Sequence, residues 1–424
     1  MGKSGGQFEL TKGDFVTQDG QQALIGGIYA YTLHKNGITT PDDGNWYLRS
    51  ELKYPPPPHV DPDNPVTPVD PNNPDAPYDP NSGGNTPLYS PTVLIYEGLT
   101  NNMQALNSLP TLRQRIGDRS RQMAPQEGYD PIQYDNSPDG DLDTYSKLGM
   151  WASVRGGISS LSPKTTTDRI HQRIDQMQYQ IGADSQLYDG DDGTLYFGLA
   201  GEYGTARSQI KSFIGDGSID TSGWGVHGSL TWYGSQGFYI DAQAKSTWYR
   251  NDLFSSTINN GIADGKHGFG YALSVEAGNE FALDQSWSLT PQAQLSWSSV
   301  RLDSFSDSYQ SRVSTEDGGN LSFRAGLQTD YRNEWTTSTG TAVKADIYGV
   351  ANIYRDFDGS SEIEIAGSDL KTRNGKTWAG IGWGGTIAWD NQYALFGEGT
   401  INSSLKNFGD DHSLKGTIGF RKTW

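Results

Sequence analysis

From about Gly149 to the C-terminus, apolar and polar positions alternate with a period of two in about a dozen segments. Between Phe238 and Trp248 the even positions carry Phe238, Ile240, Ala242, Ala244 and Trp248, and the odd ones Tyr239, Asp241, Gln243, Lys245 and Thr247. Leu289, Pro291, Ala293, Leu295 and Trp297 alternate with Thr290, Gln292, Gln294 and Ser296, and Met177, Tyr179 and Ile181 alternate with Gln178 and Gln180. Successive side chains of a strand point to opposite faces, so each segment predicts a strand with one apolar and one polar face. In the last segment Leu414, Gly416, Ile418, Phe420 and Trp424 share one parity, and Lys415, Thr417, Gly419, Arg421 and Thr423 the other. Lys422 departs from it only at the end, where a long cation can snorkel to a headgroup layer.

The connections differ in kind. Those near Asp189–Gly193, Gly234–Gln236, Asp284–Ser286 and Asp390–Asn391 are tight. Those near Ser159–Asp175, Ser208–Asp220, Asn251–Lys266, Asp303–Gly319 and Asp356–Lys376 read as long and polar. Short turns on one side and long loops on the other are the asymmetry of a bacterial outer-membrane barrel. The pattern predicts an all-β chain, built on a transmembrane antiparallel β-barrel of about 12 strands over residues 149–424. An even strand count puts both ends of the array on the short-turn side. A propeller would show a repeat of blade motifs, and none is present.

Upstream the periodicity changes. Val93, Ile95, Tyr96, Leu99, Met103, Leu106, Leu109, Leu112 and Ile116 recur mostly three and four apart, predicting a helix over residues 92–119 that Pro110 interrupts. A lone helix between a linker and a strand array needs a wall to pack on. Residues 54–91, with Pro55 to Pro58 and repeated Asp-Pro and Asn-Pro pairs, predict an extended linker. Residues 120–148 read as a polar loop. Residues 1–53 read as short strands, too little chain for an independent core.

Composition narrows the functions. There are no cysteines, so no disulfides. No run of about 18 apolar residues exists, which excludes a spanning helix. A formal net charge of −18 disfavours nucleic acid as a partner. Met1-Gly-Lys-Ser-Gly-Gly leads into a polar segment with no apolar run of the secretory kind, so this sequence is expected to be part of a longer reading frame or a truncated one.

Candidate chemistry is sparse. His34, His59, His171, His227, His267 and His412 form no metal spacing, and no metal or cofactor is expected. Asp189, Asp191 and Asp192 suggest a calcium loop, but a tight turn explains them. Parity sends Glu202, Asp241, Lys245, Glu276, Arg324, Lys344, Asp346, Glu398 and Arg421 to the lumen. Charges in a narrow barrel are costly unless paired, so they should pair with each other and with the helix arginines. No histidine sits where a nucleophilic triad would need one.

The chain resembles the C-terminal part of type V autotransporters, the AIDA-type adhesin group above all. Asn45-Trp-Tyr-Leu-Arg-Ser is similar to the end of a passenger β-helix with its autochaperone region, and Tyr89-Ser-Pro through Arg119 to the helix that threads the barrel. Gly237-Phe-Tyr-Ile-Asp-Ala-Gln, Pro291 to Trp297 and Ile418 to Trp424 resemble family barrel strands. The resemblance implies a non-enzymatic translocator in the outer membrane of a Gram-negative bacterium, one that helps export its own passenger, an adhesin. The implied partners are outer-membrane lipid, the barrel assembly machinery, periplasmic chaperones and the passenger itself. It further implies that Phe420 and Trp424 act as a C-terminal assembly signal. The family's usual Arg two residues after the first-strand Trp is Ser153 here, which leaves Arg155 to take that lumen place. Some members release the passenger when an Asn side chain attacks its own peptide bond, which makes Asn101 and Asn102 cleavage candidates. Two other functions fit the barrel: a surface adhesion module acting through its loops, and a hydrolase with its site at the rim.

Overall fold

The computed structural model describes residues 6–40, 42–51, 69–70, 73–77, 87–119, 148–315, 318–390 and 392–424. Twelve long strands form one closed antiparallel barrel. In chain order they are β1 (Leu148–Leu161), β2 (His171–Gly190), β3 (Gly193–Ser212), β4 (Gly215–Gly234), β5 (Phe238–Ser255) and β6 (Asn260–Asn279). There follow β7 (Trp287–Leu302), β8 (Gly318–Thr336), β9 (Ala342–Asp356), β10 (Thr377–Trp389), β11 (Tyr393–Ser404) and β12 (His412–Thr423). Each pairs with the next. β12 closes on β1 in continuous register from His412↔Ser160 to Thr423↔Gly149, so the sheet keeps no free edge.

The expected facing is observed. Tyr239, Asp241, Gln243, Lys245 and Thr247 are buried, whereas Phe238, Ile240 and Trp248 are exposed on the outer surface. On the closing strand Leu414, Ile418, Phe420 and Trp424 are exposed, while Arg421 is buried. An apolar outer surface of this kind is stable only against lipid. Two aromatic belts bound it. The upper contains Tyr203–Trp224, Trp248–Phe269 and Tyr271–Trp297 pairs with ring centroids 4.4, 5.7 and 5.0 Å apart. The lower contains Trp287–Tyr331 and Tyr393–Phe420 pairs, and Lys422 lies 4.8 Å over the Trp424 ring. From Phe238 to Trp248 a strand advances about 33 Å, which at a tilt of about 40° spans about 25 Å of membrane.

Strands β2 to β6 continue well past the upper belt. There the outward positions become charged and pair, across strands in Arg207–Asp220 at 2.5 Å and along one strand in Arg173–Asp175 at 3.3 Å. This corrects the expectation of long loops at Ser208–Asp220 and Asn251–Lys266. Both are extended hairpins, the first closing through only Phe213 and Ile214 and the second opening at Ser255↔Asn260. There the outward face turns polar while inward Ala206, Ile210 and Ile219 are buried, so the apolar-outward alternation of the membrane zone ends and the strand reads as loop. The expected long connections after β1, β7 and β9 do carry extra chain. Their segments 164–165, 168–169, 305–306, 312–315, 360–365 and 368–373 join into one six-stranded sheet over the loop-side mouth.

Inside lie α1 (Val93–Asn107) and α2 (Leu112–Ile116), separated by a break that contains Pro110. Proline disfavours helix at the preceding residue and lacks an N–H, and the chain restarts with a capping box in which Thr111 and Gln114 exchange hydrogen bonds. At the N-terminus, Phe15–Val16, Gln22–Gly26, Tyr29–Lys35 and Trp46–Arg49 form an antiparallel meander, not parallel rungs. Its turn before the last strand is organised by Asp43. Hydrogen bonds from the Tyr47 hydroxyl, the Asn45 N–H and the Thr40 hydroxyl hold that carboxyl at about 2. The linker lies mostly, and residues 120–147 entirely, outside the described residues.

Candidate functional site: the helix seat

The interior has two zones. In the loop-side half, Val93, Leu94, Ile95, Leu99 and Met103 of α1 pack against Ile174, Ile210, Ile219, Leu253 and Val300 of the barrel wall. Val313, Ile363, Ile365 and Leu370 of the mouth sheet complete the cluster. The Tyr96 hydroxyl donates to Asp307 at 2.9 Å. Glu97 joins two loops at one point: its carboxylate accepts from the Thr167 hydroxyl at 2.6 Å, and its carbonyl from the Thr372 hydroxyl at 2.9 Å. The N-terminal meander docks here too. Ile28 enters the cluster, the Ser90 N–H donates to Ile28 O at 2.9 Å, and Tyr29 stacks on Tyr89 at 5.7 Å.

The turn-side half is polar, and its chemistry is that of helix termini. A helix end leaves carbonyls or N–H groups without partners, and cations suit its C-terminus while anions suit its N-terminus. The barrel supplies those groups from its lumen face. Leu106 O accepts from Lys245 Nζ at 2.6 Å and Gln178 Nε2 at 2.8 Å. Ser108 O accepts from Arg155 at 3.2 Å, and Pro110 O from Gln243 at 2.9 Å. The Leu112 N–H, at the start of α2, meets Glu276 at 3.3 Å. At the end of α2, Arg421 donates to Ile116 O at 2.8 Å and Asp118 O at 3.0 Å.

Ion pairs fix the helix side chains. Arg115, fully buried, lies 2.5 Å from Asp241 and also reaches Ser229 and Thr231. Arg113 meets Asp330 at 2.9 Å, Asp118 at 3.0 Å and Asp346 at 3.6 Å, and Arg119 pairs with Asp184. Lys245–Glu202 at 2.6 Å and Arg324–Glu276 at 3.1 Å are pairs within the wall. Glu398 accepts from Gln114 at 2.6 Å and from the Tyr348 hydroxyl at 2.7 Å.

Nine of the ten charges proposed for the lumen therefore gather around the two helices: Arg155, Glu202, Asp241, Lys245, Glu276, Arg324, Asp346, Glu398 and Arg421. Lys344 does not join them. It lies near the turn-side end of β9, 42% exposed, and pairs with Glu334 at 3.2 Å. Asp184, Asp330 and Arg332 belong to the cluster as well, and their lumen parity could have found them. Gln178 and Gln243 carry no charge to mark them. The Asn101 amide donates to Gln172 at 3.0 Å. The Asn102 amide lies 2.8 Å from Thr221 Oγ1 and 3.1 Å from Ala206 O. Asp189 and Asp192 take part in turn contacts with Thr194 and Tyr188. Among the described residues no group of three or more metal-ligating side chains converges.

A closed twelve-stranded barrel with lipid-facing belts and a helix held along its axis defines an outer-membrane translocator. The chain belongs to the autotransporter family, since residues 150–400 match the autotransporter beta-domain model. It is 38% identical over its whole length to the adhesin BmaC autotransporter of Brucella suis, of which it spans 12%. It is 30% identical over 54% of its length to the pertactin autotransporter of Bordetella bronchiseptica, of which that match spans 24%. In structure it is similar to the transport unit of the autotransporter AIDA-I from Escherichia coli, with a TM-score of 0.58 at 16% identity, covering 79% of this chain and all of that one. That last likeness concerns the fold.

Proposed function

We propose that this domain exports its own N-terminal passenger, an adhesin, and that the structure is the sealed state after export. One observation carries the reading: a helix runs through the lumen from the loop side to the turn side, and the barrel's own side chains bond the C-terminal end of α1 and both ends of α2. The helix seat and the autotransporter relatives support reading the barrel as non-enzymatic. The N-terminal meander is taken as the closing segment of the passenger. The test is display. With a signal peptide and a folded reporter fused before residue 1, the reporter should become protease-accessible on intact cells. A reporter retained in the periplasm beside a correctly folded barrel would refute export.

Asn101 and Asn102 are read as positioning residues, because both amide nitrogens are engaged by the barrel and its loops. The helix then stays attached to the meander.

The assembly machinery and periplasmic chaperones are proposed partners through the closing strand. Phe420 and Trp424 are 43% and 55% exposed on its lipid face, and the Trp424 N–H donates to Leu148 O at 3.0 Å. Trp424→Ser removes one interfacial ring, a loss of about 1–3 kcal/mol that a closed barrel survives. The variant should refold in detergent yet accumulate poorly in outer membranes, because slow closure leaves an edge exposed. Normal levels in cells would reduce Trp424 to one more lipid-facing residue.

A further inference from the structure

The barrel wall is uneven in height above the membrane. β2 to β6 run 18 to 20 residues each, whereas β9 to β12 run 12 to 15. On the low side the lower belt holds Trp389, Tyr393 and Trp424. About ten residues of tilted strand cross the hydrocarbon. Counted from those aromatics, the lipid zone ends near Ala379 on β10, Ser403 on β11 and Leu414 on β12, and near Ile353 on β9, which pairs with Ala379.

What stands just above that line differs between the two sides. On β2 to β5 the outward positions carry Arg173, Asp175, Arg207, Asp220, Arg250 and Asp252, a charged surface suited to water. On the low side Phe357, Leu405 and Phe408 are 53%, 53% and 81% exposed. Phe357 continues the outward parity of Ile353 and Arg355, and Leu405 that of Ile401 and Ser403. At a tilt of about 40°, Leu405 lies about 5 Å and Phe357 about 10 Å above the hydrocarbon edge. Their segments adjoin. The Leu405 N–H donates to Thr377 O at 2.9 Å, Thr377 pairs with Arg355, and the Gly409 N–H next to Phe408 donates to Ser403 Oγ at 3.2 Å.

Large apolar side chains grouped at a rim are unfavourable in water and stable in a headgroup layer. Arg355, Lys376 and Lys406 flank them, but Asp356 faces Arg355 and Lys376, and Asp358 and Asp410 are exposed nearby. The rim therefore offers anionic lipid little net attraction, and apolar burial is the driving force. We propose that Phe357, Leu405 and Phe408 form a lip that inserts among the headgroups of the outer leaflet and anchors the low side of the barrel above its spanning strands. The lip continues, without a break in parity, the surface on which Ile353 and Ile401 already face lipid.

The lip goes beyond passenger export and is tested separately from it. The chain has no cysteine, so a single introduced one takes a fluorescent label at one place. In phosphatidylcholine nanodiscs whose lipid carries a nitroxide on the headgroup, label on Phe408→Cys should be quenched several-fold more than label on Ser256→Cys, at the exposed tip of the β5–β6 hairpin. Equal quenching at the two places overturns the proposal. Label on Leu405→Cys should lose most of its quenching when Phe357→Ser and Phe408→Ser are added, and full retention overturns apolar anchoring. All three side chains are more than half exposed, so these variants should fold, which a strand-dominated circular dichroism spectrum checks. Quenching should be the same when anionic lipid A replaces part of the phosphatidylcholine. Quenching seen only with the anionic lipid would assign the contact to the flanking cations and overturn the lip.

Discussion

Removing residues 1–119 is expected to turn a small residual current into large, steady channels. A helix with its side chains is about 10 Å across, enough to fill most of a lumen of this size. The wall should survive the loss, because closure depends on the ladder between β12 and β1 and not on the helix. The loop-side apolar cluster would lose its centre, since Val93, Leu94, Ile95, Leu99 and Met103 all come from α1. The mouth sheet would lose Glu97 as its anchor to the helix. Both changes widen the opening. Planar-bilayer conductance of the truncated and complete chains, each refolded and checked for the barrel, measures the effect. Equal conductance would mean that the helix does not block the pore.

The second large effect concerns a single pair. Asp241→Ala leaves the Arg115 guanidinium buried with, among the described residues, only Ser229 and Thr231 as partners. Breaking a buried pair by removing one member costs about 3–5 kcal/mol, far more than the intact pair contributes over an apolar substitute. Asp241 also accepts from Thr231 at 2.6 Å and Gln243 at 2.7 Å, so those donors are released as well. The loss should fall on the helix seat, since the strand ladders on either side of Asp241 are backbone bonds. Hydrogen exchange across residues 112–116 should therefore rise steeply while the barrel strands stay protected. Adding Arg115→Ala should recover part of the loss, because the orphaned charge is gone. Unchanged exchange in Asp241→Ala would remove the pair from the seat. A double variant as weak as the single one would locate the effect elsewhere.

Strand existence, facing and closure were legible in the amino-acid pattern. The lipid boundary forces one parity of each strand to be apolar, so Phe238, Ile240 and Trp248 reveal Asp241 and Lys245 as lumen residues without any coordinates. The helix and its interruption were equally plain from the periodicity and Pro110. The pattern failed where that boundary ends. Above the upper belt Arg207 and Asp220 occupy outward positions while Ile210 and Ile219 face the helix, so the apolar-outward pattern is lost and extended hairpins read as loops.

Parity also could not say which lumen charges meet the helix. It sent Lys344 and Asp346 inward alike, yet Asp346 reaches Arg113 and Lys344 pairs with Glu334. Depth along the barrel and the side on which the helix lies decide that. The same holds for Arg155 and Lys415, one capping Ser108 O and the other without a hydrogen-bond or ion-pair partner among the described residues. The one-dimensional pattern determined which face every strand shows to lipid, because burial against hydrocarbon is a local, alternating constraint. Which charges are paired, capped or left alone was decided only by the tertiary structure, because hydrogen bonds and ion pairs depend on a few ångströms between residues hundreds of positions apart.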